Sequence, residues 1–137
     1  MSNLSAYVEG HFINWLTQGV DLSVPAPTSH YIALSTTDPL DDGTGITEPD
    51  IAMGYERQLI TFDPPVITNG IGAVTTNSGS VVFPTATGDW GSIAFGAIFD
   101  SVTNGNMLIW FAWISTKLIE TGDSFTVALS DISNCLR

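Results

Sequence analysis

The run Asp38-Pro-Leu-Asp-Asp-Gly-Thr-Gly-Ile-Thr-Glu-Pro-Asp50 is the one stretch of this 137-residue chain where chemistry-bearing side chains crowd together. A calcium loop needs oxygen ligands at alternate positions, a central glycine for the sharp turn and a closing Glu. Asp38, Asp42, Gly43 and Glu48 approach that pattern. It breaks at the third position, Leu40, and at the twelfth, which is Pro49 with Glu48 one residue early. A solvated acidic loop is the favoured reading, and no metal or cofactor is expected; cation binding by the loop stays open. The two histidines, His11 and His30, have no cysteine beside them and fall short of a zinc site. His11 reads as a packed imidazole on a helical stripe, and His30 as the start of a strand. No nucleophile-elbow pattern occurs, and no paired acid and base sit at supportive spacing, so enzymatic turnover is not expected.

Two further residue types could act by recognition. Arg57 is the sole Lys or Arg between residues 1 and 116. Beside Glu56 and downstream of the acidic loop, it is placed to clamp that loop through a bidentate carboxylate pair; the alternative is a lone surface cation on a strand. A sugar platform wants an exposed aromatic flanked by Asp or Asn, and of the four tryptophans only Trp90, after Asp89, fits. Trp15, Trp110 and Trp113 read as core or interface aromatics.

The elements that must position these residues are mostly strands. In Asn106-Met-Leu-Ile-Trp-Phe-Ala-Trp-Ile-Ser115, alternation puts Met107, Ile109, Phe111 and Trp113 on one face and Leu108, Trp110, Ala112 and Ile114 on the other. Both faces are apolar, so both need cover, from a core on one side and from a helix or another subunit on the other. Met107, Ile109, Trp110, Phe111 and Trp113, with Trp90, are therefore the candidate interface residues. Leu4, Val8, Phe12 and Leu16 recur every fourth residue and predict a helix over 3–18, capped by Ser2 or Asn3 and ended by Gly19. This helix is expected to pack over the sheet holding 106–115, burying Phe12 and Trp15. Eight runs, at 31–36, 55–62, 66–68, 73–76, 80–83, 93–99, 106–115 and 124–129, carry strand signals, and the fold is expected to hold about seven short strands. Hairpins are expected at Asn69–Gly72 and, most clearly, at Ser101–Gly105. The predicted fold is mainly β: a single β-sandwich or jelly-roll-like barrel over 1–137, with one N-terminal helix packed on a sheet.

Composition narrows the partners. Fourteen acidic residues against Arg57, Lys117 and Arg137 give a net charge of −11. Nucleic acid and anionic membrane surfaces are both disfavoured by that sign. Charged residues make up 12% of the chain, about half the ordinary share of roughly 25%. With a mean hydropathy of +0.25, this suits a chain that hides surface against neighbours. The single Cys135 excludes an internal disulfide, and neither a signal peptide nor a membrane span is expected.

Four blocks follow the helix in order: Tyr31-Ile-Ala-Leu-Ser-Thr-Thr-Asp-Pro39, Gly54-Tyr-Glu-Arg-Gln-Leu-Ile-Thr-Phe62, Trp90-Gly-Ser-Ile-Ala-Phe-Gly-Ala-Ile-Phe-Asp100 and Gly105-Asn-Met-Leu108. Together they resemble a family of small virion proteins of tailed bacteriophages, often labelled tail fibre and similar to modules that decorate capsids. The resemblance implies a non-enzymatic virion structural protein made in the host cytoplasm. The sequence carries no long shaft or coiled-coil heptads, so the expectation is a capsid decoration (cement) protein on the outer shell. It would be a homotrimer bridging copies of the major capsid protein. A tail, tail-fibre or baseplate attachment module contacting tail proteins is the alternative, and a carbohydrate-binding head is third.

Overall fold

A computed structural model describes residues 3–22 and 24–136, so the suggested Ser2 cap lies outside the described residues. The order is β1 (Asn3–Leu4), α1 (Ala6–Gln18), β2 (His30–Ser35), a 3-10 turn (Ile51–Met53), β3 (Gln58–Ile60), β4 (Val66–Thr68), β5 (Gly72–Thr76), β6 (Val81–Val82), β7 (Gly91–Phe99), β8 (Met107–Ile119), β9 (Thr126–Val127) and β10 (Ser133–Leu136). These strands form three antiparallel sheets, in the orders β1-β8-β7-β2-β3, β10-β5-β4 and β6-β9. The protein is mainly β with an N-terminal helix, as its alternating apolar runs and turn residues require.

The long β7–β8 hairpin is the frame. Its turn sets Asn104 and Gly105 in the left-handed region, at φ 53° and 76°, which is the conformation an Asn-Gly pair supplies. Asp100 locks it by accepting from the Asn106 amide at 2.7 Å and from the Asn106 side chain at 2.8 Å. The Asn69–Gly72 hairpin also forms where expected, closing β4 onto β5 with Ile71 N–H donating to Thr68 at 3.0 Å.

Two bulges change which side chains share a face of β8. Ile98 faces Ile109 and Phe99 faces Met107, so Leu108 is an extra residue on its strand. Past that bulge Met107 no longer shares a side with Ile109 and Phe111, contrary to strict alternation. Leu108, Ile109, Phe111 and Trp113 meet the main core of Ile32, Leu34, Tyr55, Phe83, Trp90 and Ile98. Met107 and Trp110 instead join a second cluster with Ala33, Ala97 and Phe99. Further along, Ile93 faces Lys117 and Phe95 faces Ala112, leaving Trp113–Thr116 opposite Ala94 alone. That larger bulge throws Ile114 fully into solvent.

A buried asparagine joins the smaller sheets to the rest. Asn77, fully enclosed, donates from Nδ2 to Gly79 and Ala128 at 2.8 Å each and accepts from Ile132 N–H at 2.9 Å. It does for an irregular crossing what a ladder does for a strand, satisfying three backbone groups that burial would otherwise leave unpaired.

The helix departs from its expected place. Ser5 caps it, three residues later than the predicted start, with Oγ accepting from Val8 N–H and donating to Met107 O. Gly19 ends it at φ 64°, as expected. Leu4 pairs with Ile109, Ser5 N–H donates to Leu108 O at 3.0 Å, and Ala6 N–H donates to Asp41 O at 2.9 Å. The first turn is thus tied to β8 and to the acidic loop, and Tyr7 and Val8 touch the main core. Beyond Val8 the helix stands away from the sheet. No residue of α1 is buried, and Phe12 and Trp15 remain 36% and 46% exposed. The expected burial of Phe12 and Trp15 does not occur within the chain, because the backbone ties at residues 3–6 fix the helix axis before its apolar stripe can reach β8.

Candidate functional site

The acidic loop is organised by local bonds and by one cation. Asp38 accepts from Leu40 N–H at 3.0 Å, Asp42 accepts from both the amide and the hydroxyl of Thr44, and Asp50 caps the 3-10 turn through Ala52 N–H. The Thr44 amide, then its hydroxyl, hold the Asp42 carboxyl below its usual value. Glu48 turns inward and meets Arg57 in a fork, Nε to Oε1 and Nη2 to Oε2, both at 2.8 Å. The clamp read from the sequence is therefore present, with the lone-surface-cation alternative displaced. Among the described residues, no group of three or more His, Cys, Asp or Glu side chains could hold a metal ion. His11 lies edge-on to Tyr7 at 4.8 Å, and His30 edge-on to Phe62 at 6.0 Å.

The clamp reaches further than one carboxylate. Arg57 Nη1 donates to Ser101 O at 3.0 Å and to Asn104 O at 2.7 Å, both in the β7–β8 turn. Its guanidinium carbon lies 3.7 Å from the Phe99 ring centroid. Tyr55 Oη donates to Glu48 Oε1 at 2.8 Å and accepts from Leu34 N–H at 2.9 Å. Burial, reinforced by the Glu48 carboxylate, pushes the Tyr55 phenol far above its ordinary range. The guanidinium thus ties the acidic loop to the hairpin turn, and Glu48 carries the link on to β2 through Tyr55. Four of its five N–H donors are engaged and its charge is compensated, so the arrangement is structural.

The six candidate interface residues divide by position. Trp90, Met107 and Phe111 are buried by the chain's own side chains. Trp90 packs edge-on to Tyr55 at 5.4 Å and donates its indole N–H to Met53 O at 2.8 Å. The aromatic that best fitted a sugar platform is therefore enclosed, and the polar atom that could have greeted a sugar already has a partner. Ile109, Trp110 and Trp113 are half-buried. The indole N–H groups of Trp110 and Trp113 are buried with no acceptor among the described residues.

A run of exposed apolar side chains lies elsewhere, on α1 and the segment after it. Ile13, Trp15 and Leu16 are 52%, 46% and 61% exposed, and Val20 and Leu22 are about half exposed. Between the helix and the sheet lies an apolar groove of about 370 Å³. Tyr7, Val8 and Phe12 form one wall, Leu22 and Pro25 the other, and Leu108 the floor. Sequence periodicity marked the stripe correctly but assigned its cover to the wrong place. The Pro25-Ala26-Pro27 signal that ends the helical region also builds the opposing wall, which periodicity alone does not reveal.

Comparison with known families places this acidic chain. A family model described as podophage GP4 fiber I protein gp80 matches residues 3–134. The chain belongs to that family. It is a structural protein of the phage-fibre kind, and the resemblance carried by its four blocks is shown at family level. No curated protein matches the chain. The match is to a fibre protein, so it gives no support to the capsid-decoration expectation and favours the alternative of a tail-fibre module. No helix among the described residues is long and apolar enough to cross a membrane.

Proposed function

We propose that this chain is a non-enzymatic attachment module of the tail-fibre apparatus, in place of the capsid-cement role first expected. The observation that carries this reading is the family match over nearly the whole chain. The physical features support it. The buried Arg57–Glu48 ion pair is structural, and the apolar relief on α1 suits docking to protein. A compact acidic body rules against grasping nucleic acid and keeps particles apart in solution. Its partners in this reading are copies of itself, as a homotrimer, and neighbouring tail proteins.

Copy number and position on the particle test the proposal. Quantitative mass spectrometry of purified virions should give a few copies per particle relative to the major capsid protein, and antibody labelling should mark the tail. Hundreds of copies spread over the shell would overturn the attachment reading and restore capsid decoration.

A further inference from the structure

We infer that α1 is a self-docking element: the exposed end of the helix from one copy, led by Trp15 and Leu16, seats in the apolar groove beside α1 of a second copy. This deepens the proposed attachment role by naming the surface through which its copies assemble.

Knob and groove are both built into the same chain. The groove, about 370 Å³ between Val8, Phe12, Leu22, Pro25 and Leu108, is larger than one aromatic side chain and is almost wholly apolar. Its polar fringe is His11 and Asp100, which gives an incoming indole N–H an acceptor. Trp15 and Leu16 project one turn beyond it and leave their own groove unfilled, with Trp15 resting 5.7 Å from Phe12, centroid to centroid. Knob and groove lie on different parts of one surface, so in this inference each copy uses its knob on one neighbour and its groove on another. Such a head-to-tail contact forms a ring where its rotation closes. Three copies is the ring that matches the proposed homotrimer.

Charge and size both favour a second copy as the occupant. The chain has a net charge of −11, which opposes close approach of two copies over most of the surface. From residue 3 to residue 27, however, the only charged side chains are Glu9 and Asp21. The helix and its return segment form a nearly uncharged window through which two acidic bodies can meet. With aromatic side chains of about 150–250 Å² each, the fractional exposures from Phe12 to Leu22 leave on the order of 500 Å² of apolar surface uncovered. That reaches the upper range of patches on monomers and approaches the ~800 Å² per partner of a stable interface.

The test is sedimentation of the full chain and of two complementary variants. Trp15→Glu removes the knob and leaves the groove; Ala26→Trp fills the groove and leaves the knob. Neither side chain is buried, since Trp15 is 46% exposed and Ala26 is exposed, so both variants should keep the far-ultraviolet spectrum and the cooperative unfolding of the native chain. The native chain should sediment as a trimer, and each variant alone should be a monomer, its self-association weakened at least a hundredfold. Mixed one to one, the two variants should form a dimer through the one intact knob and the one intact groove. Leu16→Glu stands in for Trp15→Glu if that variant fails to fold. A monomeric native chain, a variant that assembles as the native chain does, or a mixture that stays monomeric would each overturn the inference. A trimer that survives both substitutions would place the self-contact elsewhere without touching the tail assignment, which the virion copy number decides separately.

Discussion

Replacing Arg57 by Met should unfold this protein at much lower denaturant, because three segments lose a common anchor at once. The methionine keeps an unbranched stem against Phe99 but removes every donor. Glu48, whose side chain is 23% exposed, then keeps a charge with its fork partner gone. The carbonyls of Ser101 and Asn104 lose their 3.0 and 2.7 Å bonds. Removing one partner of a buried pair costs about 3–5 kcal/mol, and partial exposure of Glu48 places this case at the lower end. Each deserted carbonyl adds about 1 kcal/mol where water cannot reach it. A loss of about 4 kcal/mol, with a urea slope near 2 kcal/mol/M, lowers the unfolding midpoint by about 2 M. Tryptophan fluorescence during urea titration reads this directly, since Trp90 sits in the core. The paired substitution Arg57→Met with Glu48→Gln should cost less than the sum of the two single changes, because neither charge is then stranded. A single-variant loss under 1 kcal/mol, or strict additivity in the double variant, would refute the account of Arg57 as the anchor.

Four other outcomes are expected of the same fold. Asn77→Ala deserts two carbonyls and one amide in a fully enclosed site and should cost about 3–5 kcal/mol in chemical denaturation; an unchanged midpoint would contradict its bridging role. Gly96→Ala would set a Cβ 2.6 Å from the Phe111 ring and should lose about 1–3 kcal/mol by overpacking, seen as a lower melting temperature. The Tyr55 phenol is raised in the folded state, so the folded form holds its proton where the unfolded form releases it. Its contribution to stability is present below an unfolded pKa of about 10 and declines as pH rises above it. Absorbance titration should show one tyrosine that ionises only on unfolding, and Tyr55→Phe should abolish that late step. Finally, Phe12→Ser should leave the melting temperature of dilute protein within a few degrees, since Phe12 is 36% exposed, while reducing self-association; cooperative unfolding of that variant at room temperature would mean that α1 does pack as the sequence suggested.

Much of the local structure was legible from residue order because short-range chemistry determines it. Asn104-Gly105 demands left-handed backbone, so the β7–β8 hairpin falls where that pair stands. Gly19 ends α1 for the same reason. The clamp was also within reach, since a single arginine among many carboxylates has few alternatives, and Glu48 lies nine residues away on the loop before it. The resemblance to phage virion proteins was read from four blocks, and the family match over residues 3–134 spans all of them.

What tertiary structure decided are the features that depend on distant partners. Strands β1 and β10 were not expected from the sequence; they exist because Leu4 finds Ile109 and Ser133 finds Thr76 across the fold. Alternation along β8 assigned Met107 to the same face as Ile109, but the extra residue at Leu108 reverses it, and a bulge is a mismatch between two strands that neither strand encodes alone. Trp90 follows an aspartate, as a sugar-stacking residue would, and is buried only because Tyr55, Phe83 and Met53 close over it. The helix shows the division most clearly. Its sequence determined that an apolar stripe must form with a four-residue repeat, because that follows from the helical period. Where the stripe points was settled by the backbone ties of residues 3–6 to β8 and to Asp41, which leave Trp15 and Leu16 in solvent beside an open groove. Periodicity fixes a face relative to its own axis, whereas the axis itself is set by contacts a hundred residues apart in the chain.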